Sequence, residues 1–194
     1  MKKPIQHFTA TSLTRLIAVA SLMLVSFIGT GLAQTGEDDY KIRVDILGVP
    51  GEGVGGSIES FQFNSNLGVD FGGANGSHAS RAKFSPMVIT KGIDGATPKL
   101  QTLCAGGQRL SRVQISFIRS NRLLRNGEQV FYRIVLEDVQ ISSVSTRVPK
   151  TSGGKVAEPE EDVAFSFGRI TWIYTLPNGG TIREGWDVRS SREL

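Results

Sequence analysis

The side chains able to do chemistry are few and far apart. One histidine lies beyond residue 33, His78, and the chain holds one cysteine, Cys104. A Ser-His-Asp or Cys-His device needs its nucleophile and base within hydrogen-bond reach. His78 sits in GSHAS (Gly76 to Ser80), which lacks the Gly-x-Ser-x-Gly turn of a nucleophile elbow. It reads as a loop surface residue. Cys104 falls on the apolar stripe of a short helix, where a free thiol behaves as a small hydrophobe. One His and one Cys cannot supply a tetrahedral metal set without distant carboxylates. Gly51, Gly53, Gly55 and Gly56 look like a phosphate-binding loop, but a strand follows them where the fingerprint requires a helix. Glu158, Glu160, Glu161 and Asp162 form an acidic run. Carboxylates do acid–base work only when held in a cleft, and this run lies in a Pro-containing connection that predicts a solvated face. Arg109, Arg112, Arg119, Arg122 and Arg125 fit a subunit contact or channel-lining patch better than a nucleic-acid face. The residues therefore predict no catalytic site, no metal and no cofactor, and the chain is not expected to be an enzyme.

The elements that could position any of these groups begin after a leader. Lys2, Lys3 and Arg15 form a positive start, Leu16 to Leu32 is apolar, and Gly31-Leu32-Ala33 offers small residues to signal peptidase. The apolar run, about 17 residues, is at the lower limit for a membrane span. The expectation is a signal peptide over residues 1–33, cut after Ala33, with no membrane anchor left and a secreted or periplasmic product. The leader carries three of the 22 basic residues and no acidic ones. The rest is near neutral, so the basic pI says little about nucleic acid. Residues 34–194 suit a single domain. The lone Cys104 excludes an internal disulfide.

Periodicity then assigns strands. Tyr40, Ile42, Val44 and Ile46 alternate with Lys41, Arg43 and Asp45, which predicts a half-buried strand. Ser57 to Phe63 reads as a second strand with Phe61 and Phe63 on one face. Asn64 to Ser80, rich in Gly, Asn and Ser, reads as a long loop. Arg81 to Lys91 reads as a strand that Pro86 places at an edge or bulge. TPKLQTLCAGG (Thr97 to Gly107) reads as a helix capped by Thr97, with Pro98 in its first turn and Gly106 or Gly107 at its end. Arg112 to Arg119 alternates, with Val113, Ile115 and Phe117 inward. Val130 to Thr146 is a long strand without Gly or Pro. Its apolar positions move from even (Ile134, Leu136) to odd (Val139, Ile141), which predicts a bulge or twist near Glu137-Asp138. Val163, Phe165 and Phe167 give way to Ile170, Trp172 and Tyr174 in the same manner, with Gly168 at the switch. Pro177 to Gly180 predicts a hairpin turn into a last strand, Thr181 to about Arg189.

In this order the segments resemble the haemolysin co-regulated protein (Hcp) family of type VI secretion. YKIRVDILGVPGEG, SFQFN, FSPMVITKGID, TPKLQTLCAGG, VLEDVQISSVS, EDVAFSFGRITWIY and EGWDVR carry the likeness, from about Tyr40 to Arg189. The resemblance implies a mainly β protein, an antiparallel two-sheet β-barrel-like fold with one short flanking helix. It also implies a homo-hexameric ring, rings stacked into a tube, small effector cargo in the channel, and sheath and spike proteins as partners, with no nucleic acid. It places ring stacking in the extended loop, here Gly68, Asp70, Gly72, Gly73, Asn75 and Gly76. Family members that build the tube lack a signal peptide, so the leader is a departure. Two further readings stand beside the structural and transport one: an exported binding module outside a contracting tube, and an effector enzyme.

Overall fold

The computed structural model describes residues 40–69, 82–120, 127–150 and 155–194. Its strands are β1 (Tyr40–Ile46), β2 (Ile58–Ser60), β3 (Gln62–Asn64), β4 (Leu67–Val69), β5 (Ala82–Phe84) and β6 (Met87–Gly92). Helix α1 (Thr97–Ala105) follows. Then come β7 (Arg109–Ser120), β8 (Glu128–Arg147), β9 (Glu160–Ser166), β10 (Arg169–Thr175), β11 (Thr181–Asp187) and β12 (Arg192–Glu193). The protein is mainly β with one α-helix among the described residues, and every strand pairing is antiparallel.

Strand β8 is shared by two strips of sheet. One runs β12-β11-β10-β8-β7-β1-β2, and the other runs β3-β6-β9-β8. The first part of β8 pairs with β10 up to Glu137, and the second part pairs with β9 from Gln140. Inward residues of both strips, with Leu100 and Leu103 of α1, form one core. Ile89, Ile115, Leu136, Phe165 and Ile170 are fully buried, and each such side chain contributes about 1.5–3 kcal/mol. The wall is barrel-like and not continuous. The β1–β2 ladder covers only Ile42 to Val44, and β3 pairs with β6 alone.

The change of face in β8 has a physical form that differs from an inserted residue. Glu137 pairs with Arg112 and Val139 with Leu110, so the register against β7 is unbroken across Asp138. Asp138 itself adopts φ 54°, the left-handed region that most side chains avoid. Opposite it, Gly168 bends β9 into β10, and its N–H donates to the carbonyls of Glu137 and Asp138. Both strands therefore turn over together, so of the two forms expected near Glu137-Asp138 the chain takes the twist and not the bulge. True register shifts occur elsewhere, at Phe117/Ile118 and at Ile141/Ser143. Gly168 is needed sterically. A Cβ there would lie 2.9 Å from Asp138 Oδ2 and 3.3 Å from Arg189 Nε. Gly168→Ala is expected to cost about 1–3 kcal/mol through overpacking, read as a lower midpoint in urea at unchanged slope. An unchanged midpoint would show that the twist relaxes freely.

Several expectations need correction. The second strand breaks at Phe61 into β2 and β3, because the Phe61 N–H and the Ser60 hydroxyl both bond the Thr90 carbonyl. Phe61 is consequently 58% exposed, while Phe63 packs on the core. The loop from Asn64 contains β4, which pairs with β5. The strand expected from Arg81 to Lys91 splits at Ser85-Pro86 into β5 and β6. Tyr40 is exposed, although Val44 and Ile46 on its face are buried. Thr97 opens the helix and does not cap it. Ala96 precedes it without a side-chain cap, and the Asp94 carboxylate instead accepts from the Ala96 N–H. The last strand ends at Asp187, and the two-residue β12 returns on it.

Candidate functional site

The cluster most like a reaction centre is buried where β6, β9 and α1 meet. Lys91 and Glu161 are direct cross-strand partners, both fully buried, with Nζ 2.7 Å from Oε1. Lys91 Nζ also lies 2.7 Å from Asp94 Oδ1, and it donates to the Gly92 carbonyl and, at 3.2 Å, to Thr97 Oγ1. The Thr97 hydroxyl donates to Glu161 Oε1 at 2.8 Å. An ammonium has three protons and here meets four acceptors, so the Lys91 head group is fully engaged inside the fold. The cluster ties the helix start to the sheet and has no open side for a substrate. Of the acidic run expected to be solvated, Glu158 is exposed, but the later members are not free in solvent. Glu161 is core, and Asp162 accepts from Thr90 and pairs with Arg147, which also holds Glu160. A loop reading of Glu161 failed because its burial depends on Lys91, 70 residues away.

Other chemically capable residues do not converge. Cys104 is half-buried against the core. Among the described residues no three His, Cys, Asp or Glu side chains are grouped to hold a metal. His78, Arg122 and Arg125 lie outside the described residues. Arg109 and Arg189 do meet, on the Asp138 carboxylate, which ties the start of β7 to the turn after β11. In that turn the Ser190 N–H donates to Asp187 and holds its carboxyl below the usual range. Burial pushes the Tyr132 phenol up.

What the tertiary structure does present is a set of surfaces for assembly. The first is the β4–β5 hairpin. Gly68 sits in β4 opposite Lys83; Asp70, Gly72, Gly73, Asn75 and Gly76 lie outside the described residues. The hairpin is rooted by Phe84, which meets Phe167 edge-on at 5.8 Å and stacks near Trp172 at 6.4 Å. Leu67 and Val69 remain about half exposed. The second and third surfaces are the two ends of the longer strip. At one end, β12 reaches only Trp186 and Asp187, so Thr181 to Glu184 form an exposed edge. At the other end, the β1–β2 ladder stops at Ile42, leaving a 440 Å³ cleft lined by Tyr40, Ile42, Phe61 and Phe117. Beside it Lys41 and Arg43 both donate to Glu128. The Lys41 hydrogen bond, with help from Arg43, holds the Glu128 carboxyl low against the opposing effect of burial.

Among the described residues the body is an antiparallel β wall with one short helix and two incomplete sheet ends. The chain belongs to the family described as "Type VI secretion system effector, Hcp", whose model matches residues 55–174, more than half of the sequence. It is 27% identical over 126 residues to a "Major exported protein" of Pseudomonas aeruginosa, covering 64% of this chain and 72% of that one. Among solved structures it is similar to Hcp1 from Salmonella typhimurium, with TM-score 0.64 and 23% identity over 80% of this chain and 99% of that one. It is similar also to a type VI secretion system effector from Yersinia pestis, with TM-score 0.58 and 24% identity over 76% and 99% of the two chains.

Proposed function

We propose that this chain is an exported ring subunit: six copies close head to tail, and the rings stack. The observation that carries the reading is the pair of incomplete ends on one strip of sheet. Exposed backbone edges invite strand addition. Two different ends on one body favour a heterologous contact, which closes into a ring when the rotation allows. The edge at Thr181 to Glu184 of one copy would extend the sheet at the Tyr40 end of the next. Family membership supports the same assembly, and the exported relative supports secretion. Sheath and spike proteins and small effector cargo are the partners this role implies. The leader, residues 1–33, would route the product through the general export pathway, and residues 34–194 would form the ring-building domain.

One preparation tests both halves of the proposal. The full-length gene is expressed, the exported protein is collected, its N-terminus is sequenced, and its mass is taken by light scattering. The expected product starts at Gln34 and has the mass of six chains. A monomer at high concentration would sink the ring, and an uncleaved product would sink the leader.

Stacking is assigned to the segment carried by the β4–β5 hairpin. Deleting Gly72 to Ser77 is expected to leave the circular dichroism and melting of the body intact while ring-on-ring association, seen by sedimentation, weakens. Loss of folding instead would make the segment part of the scaffold.

A further inference from the structure

The strip β1-β7-β8-β10-β11 has a face turned away from the core, and its cross-strand register sorts that face into levels. One level reads Arg183, Ile173, Arg133, Ser116, Arg43, each the direct partner of the next. Direct partners in a sheet share a face, so three arginines stand on alternate strands, about 10 Å apart. Ser116 is buried on this outer face, as are Val135 and Thr171 on the adjoining level. They are small or slender side chains set beneath longer neighbours. Arg43 is engaged by Glu128. Arg133 and Arg183 have no carboxylate partner among the described residues, and the buried Nε of Arg133 has no hydrogen-bond partner. Between them stands Ile173, apolar and half-buried.

We infer that the outward sheet face centred on Arg133, Ile173 and Arg183 is a docking surface for an acidic polypeptide segment. A buried guanidinium proton without an acceptor is costly, and a carboxylate would supply charge and acceptor together. Ile173 gives an apolar step between the two cations, which suits alternating acidic and apolar side chains. Nucleic acid fits less well. Asp45 and Glu137 lie on the same face, one and two levels away, and would oppose a uniformly charged phosphate chain, whereas a polypeptide can donate N–H groups to them. The surface belongs to each chain and does not require the ring, because the ring contact uses the sheet ends. In a hexamer the same face would be presented six times, which raises avidity for a multiply acidic partner.

The test uses fluorescence anisotropy with a short labelled poly-glutamate peptide on the processed protein, with light scattering on the same samples. Binding is expected that weakens with salt, and Arg133→Gln with Arg183→Gln should reduce affinity about tenfold or more. Lys99→Gln on the exposed side of α1 should leave it unchanged. No binding, or equal loss with Lys99→Gln, overturns the inference. So does tighter binding of a single-stranded oligonucleotide than of poly-glutamate. Because scattering reports the ring separately, a monomer that still binds through Arg133 and Arg183 would refute the assembly alone.

Discussion

Lys91→Met is expected to lower the unfolding free energy by about 3–5 kcal/mol, the usual cost of stranding one member of a buried ion pair. Glu161 would be left at 0% exposure with only the Thr97 hydroxyl on Oε1, and its Oε2 has no partner even now. The pair joins β6 to β9, and through Thr97 and Asp94 it reaches the start of α1. The loss should therefore appear as a lower urea midpoint, with earlier hydrogen exchange in α1. Replacing both partners, Lys91→Met with Glu161→Leu, should recover most of the stability, because well-packed apolar groups often match a buried pair. Asp94, nearer the surface at 14% exposure, can then turn to water. A single substitution costing under about 1 kcal/mol would show that water reaches the site, since exposed pairs contribute no more than that.

The second large effect concerns assembly. For the proposed ring, Thr181→Lys with Ile182→Lys should convert six-chain particles to single chains while leaving the melting temperature nearly unchanged. Both residues are exposed in the isolated chain, Ile182 at 51%, so little folding energy is at stake. Lysines on an edge strand oppose the approach of another strand, because their charge must be desolvated. Retention of the particle mass would mean that the sheet end beyond β10 is not the contact. Partial dissociation that salt restores would assign the effect to repulsion alone and keep the edge as the contact.

Much of the wall was legible in the sequence, for local reasons. The alternation of Val113, Ile115 and Phe117 places β7, and the change of parity after Leu136 marks the twist that Asp138 and Gly168 make together. Helix α1 was legible from Pro98, from its Leu100 and Leu103 stripe, and from Gly107, whose φ of 59° ends it. Other features answered to partners distant in the chain. The break at Phe61 exists because the Thr90 carbonyl is there to accept. The strand Leu67–Val69 is short and lacks a pattern of its own, and it forms against Ala82–Phe84. No local rule places a glutamate in the core when its neighbours are Glu160 and Asp162.

For the candidate surfaces the division is sharper. Of the loop residues assigned to stacking, Gly68 falls in a paired strand and the others lie outside the described residues. The sequence singled out Arg109 and Arg112 as surface cations, but Arg133 and Arg183 were hidden inside strand patterns. Cross-strand register alone brings them to one level.

By itself the sequence determined that the protein is β-rich, with one short helix among the described residues and an apolar stretch near its start. Those properties follow from periodicity, turn residues and composition, which act over a few residues at a time. The tertiary structure alone decided which acid is buried, where the sheet is left open and which arginines share a face. Each of these depends on pairing between strands far apart in the chain. In a sheet, a shift of one residue exchanges the buried face for the exposed one.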